Sequence, residues 1–170
     1  MAGEHGRLTT ICKTLRGCKI HHMSAEPTNS PVEPILAAGG IVLGSGSENG
    51  KICLVRRRRY PGEIGLPKGK LKSTENAIDA ALREVREETG GEAKIRGYAG
   101  TTRYLVGKIP KAVLYFVMDA VGNELFGPRD RAEIESVEWM TPGEAILMLT
   151  HCEDRDLISA VFGISQGQRQ

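Results

Sequence analysis

Residues 69–91, GKLKSTENAIDAALREVREETGG, set a glycine loop directly before a helix whose last two turns carry Glu84, Glu87 and Glu88. Helical neighbours lie three and four residues apart, so the three carboxylates share one face. Like charges packed that closely destabilise a helix unless a cation sits among them. An oxygen-rich, carboxylate-lined site suits a hard cation such as Mg²⁺ or Mn²⁺. The plainer alternative is a solvated acidic face, since glutamate is a good helix former and charge clusters are common on surfaces. The rest of the segment argues against it. Ile78, Ala81, Leu82 and Val85 give the opposite face an apolar stripe at helical spacing, which predicts burial. Ser73 or Thr74 is expected to cap the helix start, with Glu75 complementing the dipole in the first turn. Gly90 and Gly91 supply a stop. A capped, half-buried helix is a rigid base for a metal site.

The order and spacing of Gly69, Glu75, Arg83-Glu84-Val85, Glu87-Glu88 and Gly90 resemble the Nudix box of the Nudix hydrolases. Gly91 stands where that pattern has an aliphatic residue. The resemblance implies an α/β fold, the Nudix α/β/α sandwich with a mixed β-sheet. It implies Mg²⁺ or Mn²⁺ as cofactor, with more than one ion once substrate is bound. The implied metal ligands are Glu84, Glu87, Glu88 and a backbone carbonyl near Gly69. Arg83 and Glu75 are implied supports of the ligand helix, and the catalytic base is implied to be either a glutamate of the box, Glu84 or Glu87, or an acid of the later loop before Trp139, Glu133 first and then Glu135. Leu66-Pro67-Lys68-Gly69-Lys70 also resembles the lead-in of many Nudix hydrolases, where an aromatic residue usually stands at the position of Ile64. Lys68 and Lys70 are then expected to help neutralise a polyphosphate, or else to be surface charges.

A chain of 170 residues is long enough for one domain with a proper core. The boundaries expected are a flexible or partly disordered extension over 1–34, a Nudix hydrolase domain over 35–165, and a tail over 166–170. A net charge of +2 demands neither nucleic acid nor an anionic membrane. No apolar run is long enough to span a bilayer, and the first residues lack the apolar core of a signal peptide. Cys12, Cys18, Cys53 and Cys152 do not form a disulfide framework, so a reducing cytoplasm is the expected address. Cys12, Cys18, His21 and His22 fit no familiar zinc spacing. Met23 is an alternative start for the native chain. N-terminal mass measurement on protein from its native host decides between the two starts: a chain beginning at Met1 refutes this one.

Along the chain, Ile35–Leu43 reads as a buried strand and 51–59 as a second, together a hairpin. The second ends in four arginines, 56–59, of which alternation lets at most two face one pocket. Arg56 and Arg58 are the pair taken as substrate contacts, the alternative being a solvated strand end. Residues 60–67 read as an irregular loop. Segments 92–99, 101–108, 111–121 and 136–140 read as strands, the third the strongest. Trp139 is expected in the core. Pro142 after Thr141 marks a helix start, with one helix or two over 143–162. Arg103 is a further substrate contact by charge, with Lys108 and Lys111 weaker candidates.

The function expected from the resemblance is metal-dependent hydrolysis of a pyrophosphate linkage in a nucleoside diphosphate joined to another group X. Dinucleoside polyphosphates, ADP-ribose, nucleoside triphosphates and diphosphoinositol polyphosphates are the candidate substrates. The partner is thus a small nucleotide-type molecule. Membrane and nucleic acid are not expected, and a homodimer is left open. The alternative is a non-catalytic Nudix domain that senses a nucleotide or mediates protein contacts, which degenerate acids would favour; here the acids are intact. Isoprenoid-diphosphate isomerisation would need a different catalytic set, which Cys53 alone does not supply.

Overall fold

The computed structural model describes residues 32–59, 61–122, 127–129 and 131–165. Cys12, Cys18, His21, His22 and Met23 lie outside the described residues. Strand β1 spans Ile35–Leu43, as the apolar run predicts, and its small side chains let it sit at the centre of the sheet. The others are β2 (Ile52–Arg57), β3 (Ile64–Gly65), β4 (Lys68–Lys70), β5 (Glu92–Val106), β6 (Ile109–Val121) and β7 (Ile134–Met140). The three α-helices are α1 (Ala77–Thr89), α2 (Pro142–Met148) and α3 (Cys152–Phe162).

The sheet is mixed. β1 runs parallel to β6 along its whole length, and β5 folds back antiparallel on β6. The expected hairpin of β1 and β2 survives at one register pair, Leu43 with Ile52. Beyond it the strands part: β2 pairs with β7 and β3, and β4 takes the vacated edge of β1 at Ala37–Gly39. Segments 92–99 and 101–108 are one strand, bulged at Ile95/Gly97 and Tyr98/Gly100. The 60–67 loop contains the two-residue strand β3, whose Ile64 is buried in the core.

Alternation along β1 and β6 sorts the core into two layers. Ala37, Ile41, Val113 and Tyr115 pack with Leu149 and Ile158 of the α2–α3 side. Ala38, Val42, Phe116 and Met118 pack with Ala80, Ala81 and Val85 of α1. Helices therefore cover both faces, an α/β/α sandwich. Trp139 is half-buried against the α1 layer and Cys53 is fully buried within it. The segment over 143–162 is two helices. The first opens on a capping box: Glu144 N–H donates to Thr141 Oγ1 and the Thr141 N–H to Glu144 Oε2. Among the described residues no helix is long and apolar enough to cross a membrane.

Helix α1 starts later than expected. Its cap is Asn76, whose Oδ1 accepts from the N–H groups of Ile78 and Asp79. Ser73 and Thr74 precede it in a turn, and Glu75 is outside the helix, bound to Arg83 instead. Ile78 is largely exposed, and Ala80 takes the buried place expected for it. The stop is as expected: Gly90 adopts φ 73°, and a side chain there would run into the Gly127 carbonyl.

Candidate active site

A cavity of about 590 Å³ lies among β2, β4, β5, β6 and α1. Its acidic wall comes from α1 and the glycine loop: Glu84, Glu88 and Gly69. Glu133, before β7, faces it, and Arg57, Arg59, Lys68, Lys70 and Lys111 bring positive charge. Tyr104, Val106, Glu63 and His151 complete it.

Glu88 is the most enclosed of the acids. Arg57 clamps it with two donors, Nη1 to Oε1 at 2.7 Å and Nη2 to Oε2 at 3.3 Å. The Lys68 backbone N–H adds a bond to Oε2 at 2.9 Å. Burial pushes the Glu88 carboxyl up, against the pull of Arg57 and Lys68. Burial opposes the Arg57 charge too, but Glu88 outweighs it and the guanidinium stays ionised. Arg57 Nε also lies 3.6 Å from Glu63 Oε1, the same oxygen that His151 Nε2 approaches at 3.5 Å.

Arg83 works outside the cavity as a bracket. Its Nε and Nη2 hold both oxygens of Glu75 at 2.7 and 2.8 Å, its Nη1 donates to Glu84 at 2.6 Å and Glu87 at 3.0 Å, and Nη2 also reaches the Lys70 carbonyl. One planar side chain thus ties the 69–75 loop to the carboxylate face of α1. It holds Glu75 down at about 2. Glu84 goes the other way: burial raises it, with Arg83 opposing. Gly69 passes so close that a Cβ there would lie 2.1 Å from the Glu84 carboxyl carbon. Only glycine lets the loop backbone lie on that carboxylate.

The expected residues divide. Glu84, Glu88, Gly69, Lys68, Lys70 and Glu133 line the cavity. Glu87 does not: its side chain is 49% exposed and bound to Arg83 on the outer flank of α1. Glu135 is exposed and off the cavity, and Arg103 borders a separate apolar groove with Pro34, Leu105 and Pro110. The structure does not bring Arg56 and Arg58 to the cavity. Arg56 turns to the other face and pairs with Glu138 at 2.9 Å, and Arg58 donates to the Arg131 carbonyl; Arg57 and Arg59 face the cavity. His151 was missed altogether. It is a lone histidine capping α3, and its ring stacks parallel to Tyr104 with centroids 5.9 Å apart. The Lys111 ammonium lies 5.6 Å from the Tyr104 centroid, so Lys111, only a weak candidate by charge, is part of the wall.

Among the described residues no three His, Cys, Asp or Glu side chains already converge as a cation site. The donors nevertheless fit a hard divalent ion. Two desolvated carboxylates, Glu84 and Glu88, face the cavity beside the Gly69 backbone. Their charge is balanced by Arg57 and Arg83, which hold their orientation.

The NUDIX domain profile matches residues 34–161, and the chain belongs to that family. An 8-oxo-(d)GTP phosphatase of Mycolicibacterium smegmatis is 29% identical over 145 residues, 80% of this chain and 44% of that protein. An ADP-ribose pyrophosphatase of Methanocaldococcus jannaschii is 31% identical over 110 residues, 61% of this chain and 62% of its own. The chain thus matches about half the length of these relatives. Among solved structures, a C. elegans Ap4A hydrolase binary complex superposes with a TM-score of 0.65 at 22% identity, over 76% of this chain and 95% of that one. A MutT NUDIX hydrolase from Burkholderia pseudomallei gives 0.65 at 22%, over 76% and 98%.

Proposed function

We propose that this chain is a metal-dependent pyrophosphohydrolase acting on a nucleoside diphosphate linked to a group X. The observation that carries the reading is the convergence of Glu84, Glu88 and the Gly69 backbone on one cavity that Arg57, Lys68, Lys70 and Lys111 also line. A pyrophosphate resists water because its oxygens repel the nucleophile. A divalent cation held by Glu84 and Glu88 supplies neutralisation of those oxygens and a lower pKa for attacking water. Lys68, Lys70 and Lys111 bind the phosphate chain. Arg57 and Arg83 keep the carboxylates aimed. Glu133, on the facing wall, is the candidate base that takes the proton of the attacking water as the P–O bond to the leaving phosphate breaks. The Tyr104–His151 stack offers an aromatic surface to the nucleoside.

The relatives named above act on oxidised guanine nucleotides and ADP-ribose, and a bis(5'-nucleosyl)-tetraphosphatase of Rattus norvegicus is 39% identical over 83 residues. The three substrate types share a nucleoside and a phosphoanhydride. A panel of such compounds with Mg²⁺ or Mn²⁺, products identified by mass, tests the reading. Cleavage at the anhydride that stops with chelator is expected. Wild-type protein that binds nucleotides but cleaves none would favour a sensor.

A further inference from the structure

Glu133, the candidate base, lies one residue beyond the sheet. Residues 131–133 form an exposed turn, and the first side chain anchored in the core is that of Ile134, fully buried at the start of β7. Glu133 and Glu135 are two apart, so a regular strand would put both on one face. Here the ladder is not regular. Arg56 pairs with Ser136 and Arg57 with Ile134, so β7 carries one residue more than β2 at this point, and Glu135 has no register partner. A bulge of this kind re-aims the side chains beside it. Of the two acids, only Glu133 lines the cavity. Upstream of the bulge the turn is held by Arg58, the next residue of the arginine run, at two points. Its N–H donates to the Glu133 carbonyl at 2.8 Å, one step past the last register pair, and its Nε donates to the Arg131 carbonyl at 3.1 Å. The two bonds bracket Ala132, so one residue at the end of β2 sets the path by which the chain enters β7. Arg58 itself is exposed and outside the cavity lining.

We propose that Arg58 is a positioning residue: its guanidinium, by holding the Arg131 carbonyl, fixes the turn that presents the Glu133 carboxylate to the cavity. This rests on the reading of Glu133 as base for what the placement achieves, but not for the hold on the turn. A general base works only within hydrogen-bond reach of the water it deprotonates. An exposed turn has little burial to keep it there, so its backbone bonds carry that task. The arginine that charge alone sends to a substrate phosphate acts instead on the backbone of a neighbouring segment.

The test combines Arg58→Met, which keeps the aliphatic stem and removes the Nε donor, with Glu133→Gln. The readouts are steady-state kinetics on the best substrate of the nucleotide panel and amide hydrogen exchange over residues 131–133. Arg58→Met is expected to lower kcat about tenfold with KM within about twofold of wild type, a fraction of the roughly 10²–10⁴-fold that a general base contributes. In the Glu133→Gln background the same change should lower kcat no further. Arg58→Lys, which keeps one donor for the carbonyl, should recover part of the loss. Exchange over 131–133 should quicken in Arg58→Met while the urea midpoint stays near wild type. An unchanged kcat, a rise in KM in its place (the mark of a phosphate contact), or an equal fall in the Glu133→Gln background would overturn the proposal. Should Glu133→Gln itself keep the wild-type kcat, the base assignment falls and the positioning role with it. If the wild type cleaves no pyrophosphate, the hydrolase reading fails by itself. Exchange then still decides the hold on the turn: faster exchange in Arg58→Met supports it and unchanged exchange refutes it.

Discussion

Arg56 and Arg57 are neighbours in β2 with opposite fates. Arg57 is the partner of an almost wholly enclosed carboxylate, whereas Arg56 meets Glu138 where both are part-exposed. Removing one member of a buried pair leaves the other charge stranded. Arg57→Met should therefore cost about 3 kcal/mol or more and collapse kcat/KM, while Arg56→Ala should stay within about 1 kcal/mol with activity near wild type. Urea unfolding and steady-state kinetics on both variants check this. The phase of the arginine run was not legible in the sequence. Ile52, Cys53, Leu54 and Val55 are all buried, so the strand has no polar face to fix its parity, and the register slips at Arg56/Arg57. Lys111 carries a pH signature. Burial, with Lys68, Arg57 and Lys70 nearby, lowers it from 10.5 to about 8. It is a cation below that value and neutral above it, so KM should rise as pH passes about 8. The fold itself should gain stability over the same interval up to 10.5, because the unfolded chain holds that proton more tightly there. Lys111→Arg should keep KM flat across the range in pH-resolved kinetics.

Helix α1 shows what an element's sequence tells and what it withholds. Its periodicity gave part of its core face, Ala81 and Val85 but not Ile78, and its glycine gave its end, because both are local properties. Its start was ambiguous, since Ser73, Thr74 and Asn76 all have capping side chains. The choice was made by Arg83, which draws Glu75 out of the first turn and leaves Asn76 as cap. The outward turn of Glu87 has the same origin. Spacing puts it with Glu84 and Glu88, but Arg83 one turn earlier holds it on the flank. Asn76→Ala, which removes the bonds to Ile78 and Asp79, should cost about 1 kcal/mol in urea unfolding and leave kcat/KM unchanged at 25 °C. A larger loss of activity than of stability would mean that the helix start bears on the site directly.

At the scale of the whole molecule, the cavity draws its lining from β2, β4, β5, β6 and α1, segments that only the assembled sheet brings together. On β1 itself, β2 pairs at Leu43 and β4 at Ala37–Gly39. Such long-range pairings leave no trace in composition or period; the strands and their layer order came from pattern and resemblance, the cavity only from the assembled sheet. His151 belongs to this class as well: nothing in its neighbourhood in the chain announces that α3 will bring it to Tyr104. Everything proposed about chemistry depends on the acids at that cavity seating a cation. Anomalous diffraction from crystals soaked with Mn²⁺ and a non-hydrolysable nucleotide analogue tests that seat most directly. A manganese peak within about 2.5 Å of carboxylate oxygens of Glu84 and Glu88 is the expected result. A bound analogue with no peak at those side chains, or a peak held by other residues, would contradict it.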